Sequence, residues 1–263
     1  MDKIIEDMRN SPDAIKHGVA LVRCAEHSER YKDMCQLMRM VVDLKMAKNE
    51  DLDSEERNLL SVGYKNLVGA GRGSHRSINN RIDDDSKNTD LKTGYLDVIS
   101  KETTSICKEV LKVLEDQLIP KAKELQKGGG EDAIQSLIFY LKMAGDYYRY
   151  LAELNKKDGY ETKAKELYLE GTQLSEENLP PTDPIRLGLA LNLSVCYYEI
   201  LNNRKEACRI AKEAFDQAIS KLDKLAEVQY KDATLIMQLL RDNLTLWTTS
   251  DNQDEDMTPV DAE

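Results

Sequence analysis

Apolar residues recur three and four positions apart in segment after segment of this chain, and nowhere do they alternate long enough to line one face of a strand. That period admits one kind of architecture, helices packed on helices. Val19, Val22 and Ala25 mark a first stripe, in a segment from Ile15 to Glu29. Met34, Leu37, Met38, Val41 and Val42 mark a second, which follows Tyr31. Methionines at such spacing are core filler before they are a cofactor box. Charged residues make up 32% of the 263 residues, with only 13 glycines and 6 prolines. The mixture suits helices better than sheets, and the length suffices for one large core or two small domains.

The breaks between stripes are equally legible. Ser11-Pro12 has the form of a helix start, an N-cap followed by proline at the first helical position. Asp53-Ser-Glu-Glu56 places a capping residue ahead of acids in a first turn. Asn79 to Asp90 reads as a polar loop, and a helix from about Leu91 to Ile119 stops near Pro120. Gly128-Gly-Gly130 is the clearest break. Lys156 to Gly159 turns into a helix that reaches Asn178, Leu179-Pro-Pro181 ends it, and Thr182-Asp-Pro184 starts the next. Asn202-Asn203 precedes a helix through Leu222, and the last helix reaches about Trp247. The fold class predicted is all-α, about nine antiparallel helices with short connections. The segments around Tyr147-Tyr148 and Tyr197-Tyr198 look alike, but their separation is no multiple of the tetratricopeptide period of about 34 residues.

Residues 1–12 carry no clear pattern and read as an N-terminal extension, 13–249 as the helical domain and 250–263 as an acidic tail. Asp251, Asp254, Glu255, Asp256, Asp261 and Glu263 have no lysine or arginine among them, a composition that predicts disorder.

The formal net charge of −11 excludes nucleic-acid binding through bulk electrostatics. Any anion must instead be held by a local cluster of Lys and Arg. The absence of a membrane-length apolar run and of a secretory leader predicts a soluble, intracellular protein. Cys24, Cys35, Cys107, Cys196 and Cys208 are odd in number and widely spaced, which predicts reduced thiols. Cys24 and His27 stand one turn apart, but there is no second Cys/His pair, so no metal and no cofactor is predicted. Gly69-Ala-Gly-Arg-Gly73 resembles a phosphate-cradling loop but follows a helical pattern where that motif needs a strand. No nucleophile elbow or paired carboxylates stand out. His17, His27 and His75 lack triad partners, so the chain reads as no enzyme.

The segment Tyr140 to Glu153 carries the densest chemistry. On a helix Leu141, Tyr147 and Leu151 turn inward, while Lys142, Asp146, Arg149 and Tyr150 share another side. Two cations, a carboxylate and a phenol on one face can make a site for a charged ligand; the plainer reading is a solvated face with intrahelical ion pairs. Lys65, Arg72 and Arg76 form a second stripe, at intervals of seven and then four. Asn192, Val195 and Glu199 share one face of their helix, and Leu235, Leu239, Asn243 and Leu246 one face of the last, with Leu191, Ile236 and Trp247 flanking. Core packing is the plainer reading for the leucines, and a satisfied core polar group for Asn192.

Several long motifs give these residues a context. Arg57-Asn-Leu-Leu-Ser-Val-Gly-Tyr-Lys-Asn-Leu-Val-Gly-Ala70, Lys142-Met-Ala-Gly-Asp-Tyr-Tyr-Arg-Tyr-Leu-Ala-Glu153, Pro184-Ile-Arg-Leu-Gly-Leu-Ala-Leu-Asn192, Tyr197-Tyr-Glu-Ile-Leu-Asn202 and Tyr230 through Trp247 resemble, in order, the corresponding blocks of the 14-3-3 proteins. The resemblance runs from about Ile15 to Trp247. It implies a cup-shaped bundle that binds phosphoserine and phosphothreonine peptides and so regulates phosphorylated client proteins. The alternative is a phosphate-independent helical scaffold of the tetratricopeptide kind. Lys65, Arg72, Arg149 and Tyr150 match the family's phosphate-binding positions. Asn192 and Asn243 match those that hold the peptide backbone, in a groove lined by Lys142, Asp146, Leu191, Val195, Glu199, Leu235, Ile236, Leu239, Leu246 and Trp247. The resemblance also implies a homodimer or heterodimer through the N-terminal helices. Arg30, Asp33, Tyr95 and Glu102 match interface positions, while Cys24 stands where the family has Leu, Ser28 where it has Ala and Val98 where it has Lys. These departures predict a weak dimer. Ser74 aligns with a serine that many members phosphorylate, but Gly73 and His75 replace its usual neighbours and leave that regulation open. The implied location is the cytoplasm, with the nucleus also open to it and no membrane involved. The acidic tail either occupies the groove or only aids solubility.

Overall fold

The computed structural model describes residues 1–80, 89–128, 131–155, 158–222 and 225–249. The acidic tail and most of the loop expected after Asn79 lie outside the described residues. Among those described there is no strand, and the helices are α1 (Asp2–Arg9), α2 (Ala14–His27), α3 (Tyr31–Ala47), α4 (Ser54–Asn79), α5 (Thr89–Val113), α6 (Ile119–Lys127), α7 (Glu131–Leu154), α8 (Tyr160–Asn178), α9 (Pro184–Val195), α10 (Arg204–Ile219) and α11 (Glu227–Thr249). A π-turn, Leu114–Leu118, joins α5 to α6, and another, Cys196–Ile200, extends α9. No described helix is long and apolar enough to cross a membrane.

Three boundaries differ from those expected. Residues Asp2–Arg9 form a helix, whose Met8 is buried in the core. Ser11 does not cap α2: the helix begins at Ala14, and the Ser11 Oγ lies 2.9 Å from His17 Nδ1. The fourth long helix does not stop at Pro120. Proline there has no N–H to give the Asp116 carbonyl, and its ring would crowd that group in a regular helix. The π-turn just before it, closed by the Ile119 N–H on the Leu114 carbonyl, opens the backbone at this point, and the helix runs on to Lys127.

Other boundaries follow their caps. The Asp53 side chain accepts from the Glu56 N–H at 2.8 Å and the Glu56 carboxylate from the Asp53 N–H at 2.9 Å, a complete capping box. Asp183 accepts from the N–H groups of Ile185 and Arg186 ahead of α9, whose first residue is Pro184. Asn203 caps α10 through the Glu206 N–H at 3.1 Å.

The chain forms two compact units, Met1–Asn155 and Lys156–Glu263. In the first, successive helices pack on one another, and α7 lies against α4, α5 and α6. Val22, Met38, Leu60, Tyr64, Cys107, Leu141 and Leu151 are buried there. Burying each such large apolar side chain contributes about 1.5–3 kcal/mol. In the second, α9 packs against α8, α10 and α11 around Leu187, Ala207, Ala211, Met237, Leu240 and Trp247.

Candidate functional site

The last turns of α4 bring a cationic stripe to α7. Gly71 is the reason α4 fits between its neighbours: a Cβ at this position would stand 2.2 Å from the Thr103 Oγ1 on α5. With α5 pressed on that side, the next residue along, about 100° around the helix, is Arg72. It reaches α7, where its Nε and Nη2 donate to one oxygen of Glu153 at 2.8 and 2.6 Å. Arg76, one turn on, donates through Nε to the other oxygen at 2.5 Å. Burial raises the Glu153 pKa, but the hydrogen bond from Arg76 and the charge and hydrogen bonds of Arg72 outweigh it, so the carboxyl is held below its ordinary value.

On α7 itself Leu141, Tyr147 and Leu151 are buried, as their spacing predicts. Tyr147 packs edge-on against Tyr64 below and Tyr150 beside it, with ring centroids 6.4 and 5.6 Å apart. Tyr150 thereby stands on a packed floor. The Arg72 guanidinium lies 3.9 Å from the Tyr150 ring centroid and that of Arg149 4.8 Å, both within cation–π range. Burial pushes the Tyr150 phenol up from its ordinary value, so it keeps its proton and can donate a hydrogen bond. Arg149 is itself only 7% exposed. Asp146 receives Lys142 at 3.1 Å and Arg149 at 3.5 Å, and so orders both cations.

Arg72 and Arg149 therefore both meet the Tyr150 ring, with Lys142 and Asp146 adjoining. Lys65 is exposed and forms no ion pair among the described residues. It sits seven residues earlier on α4, about 10 Å along the axis. Glu153 was absent from the site read off the sequence, and Arg76 entered that reading only as the last cation of the α4 stripe. The signal for Glu153 was its place three residues beyond Tyr150, one turn along α7.

The remaining candidates divide between the units. In the second, Leu235, Leu239 and Leu246 are exposed at 66%, 46% and 61%, so this stripe of α11 is not core. Asn192 and Asn243 are half-buried and Glu199 is exposed. Leu191, Val195 and Ile236 are half-buried against the unit's core. Trp247 belongs to that core: it is 3% exposed and stacks on Tyr198 with centroids 4.7 Å apart. In the first unit Cys24, Ser28, Arg30, Tyr95 and Glu102 are exposed, and Arg30 pairs with Asp33. Leu91, Tyr95 and Val98 make an exposed apolar stripe on α5. A hollow of about 320 Å³ lies beside Arg30, Tyr31 and Asp33, bounded by Asn66, Leu67 and Ala70 of α4. No group of three or more His, Cys, Asp or Glu among the described residues is arranged to hold a metal; the ring of His27 bonds the Arg23 carbonyl at 2.7 Å.

A family model described as 14-3-3 protein matches residues 21–248. The 14-3-3 protein eta of Bos taurus and that of Mus musculus are each 49% identical to this chain over 242 residues, covering 89% of it and 94% of the relative.

Proposed function

The chain belongs to the 14-3-3 family, and from that premise we propose that it is an adaptor that binds phosphoserine and phosphothreonine peptides of client proteins. One observation carries the proposal: Arg72 and Arg149, on different helices, both stand over the ring of Tyr150. A phosphate monoester near neutral pH carries a charge of about −1.5 to −2 and three strong acceptor oxygens. The two guanidinium forks can bind it with paired hydrogen bonds, the Tyr150 hydroxyl adds a donor, and Lys65 adds a point charge from the exposed face of α4. Fixed donors that are already ordered by Asp146, Glu153 and an aromatic floor lose little entropy when the ligand arrives.

In the second unit, Asn192 and Asn243 hold the backbone of the peptide, since an amide offers both a donor and an acceptor. The exposed leucines of α11 contact its apolar side chains. Residues 13–249 are the functional domain, and the chain acts by binding, without catalysis or cofactor. It pairs with itself or with a relative through Cys24, Ser28, Arg30, Asp33, Tyr95 and Glu102, and works in the cytoplasm, with the nucleus also open to it, without membrane or nucleic acid.

The test is capture of clients from a lysate on immobilised protein, before and after phosphatase. Phosphatase treatment should abolish capture. Undiminished capture would favour the phosphate-independent scaffold.

A further inference from the structure

We propose that Glu153 is a resident counter-anion that limits the affinity of the anion site and makes that affinity depend on its own charge. The proposal rests on the phosphopeptide reading above.

Arg72 is not an idle cation. Of its five N–H donors, two already point at one oxygen of Glu153, and the second oxygen is held by Arg76. The carboxylate is mostly shielded, with 19% of its side chain exposed, and Arg72 is equally enclosed at 17%. An incoming anion therefore meets Arg72 with a carboxylate fixed to its far edge. It approaches the remaining donors, on the edge not used by Glu153, and the two anions are then separated by the width of a guanidinium group.

Two effects of Glu153 oppose each other. It orders Arg72, and losing that order would weaken binding by roughly twofold to tenfold, as expected for immobilising one long side chain. It also repels the ligand. A full charge and a near-dianion about 8 Å apart in a partly buried site interact strongly enough to change affinity by tenfold or more. Arg76 offsets part of this, but its side chain is 55% exposed and water screens it. Repulsion therefore outweighs ordering. It also scales with the charge of the ligand, whereas the loss of order does not.

That scaling separates the proposal from a merely structural role. Affinity is measured by titration calorimetry for one client-like peptide carrying phosphoserine, glutamate or unmodified serine at the same position. Wild type, Glu153→Gln and Glu153→Asp are compared. Glu153→Gln should tighten the phosphoserine peptide by about tenfold, tighten the glutamate peptide by roughly the square root of that factor, and give the serine peptide no gain. Higher salt should shrink both gains. Glu153→Asp keeps the charge and should stay near wild type. Glu153→Ala makes the same predictions as Glu153→Gln, so misfolding of one variant leaves the test intact. Weaker phosphopeptide binding in folded Glu153→Gln, or a gain that ignores ligand charge, overturns the proposal. Failure of the wild type to prefer phosphoserine would instead overturn the phosphopeptide reading itself.

Discussion

A Cβ placed on Gly71 would stand 2.2 Å from the Oγ1 of Thr103 and 3.3 Å from its Cβ and Cγ2. Thr103 is buried, its hydroxyl donates to the Ile99 carbonyl at 2.8 Å, and a β-branched side chain in a helix has little freedom to turn away. Gly69 and Gly73 on the same helix have open space where a Cβ would be. The three glycines therefore make a graded prediction. Gly69→Ala and Gly73→Ala should each stabilise the protein by about 0.5–1 kcal/mol through helix propensity. Gly71→Ala should destabilise it by about 1–3 kcal/mol through overpacking. Adding Thr103→Ala should recover part of that loss, a coupling between touching residues. Urea denaturation of the four variants checks each sign.

Glu153 also predicts a pH dependence. Its folded pKa lies below the ordinary carboxylate value, so the unfolded chain takes up the proton first as pH falls. Its contribution to stability is complete above the unfolded value of about 4.3 and is lost as pH drops through the lower folded value. Wild type should be more stable than Glu153→Gln at neutral pH, and the gap should close below about pH 4. Denaturation curves at both pH values test this, and a gap that does not change with pH would contradict it.

Assembly gives a third prediction. The apolar stripe Leu91, Tyr95 and Val98 is exposed, and Asp33 pairs within its own chain to Arg30. In the proposed interface, Cys24 and Ser28 offer less apolar surface to bury than the Leu and Ala that the resemblance leads one to expect, which would weaken association. Sedimentation over a dilution series should show a dimer giving way to monomer at low concentration. A dimer that persists at nanomolar concentration would refute a weakened interface.

The helical period and the helix starts at Asp53-Ser-Glu-Glu56 and Asp183-Pro184 were legible because they are local and need only a few residues to be recognised, whereas Ser11-Pro12 had the form of a start that the chain does not use. Pro120 misled because proline normally ends a helix, and a π-turn that accommodates it leaves no mark in composition. The α1 helix was missed because, among its described side chains, only Met8 is buried. Within the site, the face shared by Lys142, Asp146, Arg149 and Tyr150 followed from spacing alone. Spacing puts Glu153 one turn from Tyr150, but its partners are not legible locally because they lie on a helix some eighty residues earlier, Arg72 to Glu153 being separated by 81 positions. Trp247 shows the reverse. The resemblance implied a groove-lining role for it, whereas its burial and its stacking on Tyr198 are tertiary facts.

The central claim is that Arg72, Arg149 and Tyr150 hold a phosphate. Titration calorimetry of one peptide, phosphorylated and not, against wild type and Arg149→Ala tests it most directly. Arg149→Ala deletes charge-assisted hydrogen bonds that contribute about 1.5–3 kcal/mol. The prediction is that wild type binds only the phosphorylated peptide and that Arg149→Ala, still folded by circular dichroism, binds it about tenfold to hundredfold more weakly. Equal affinity of wild type for both peptides, or unchanged affinity in the folded Arg149→Ala variant, would contradict the claim.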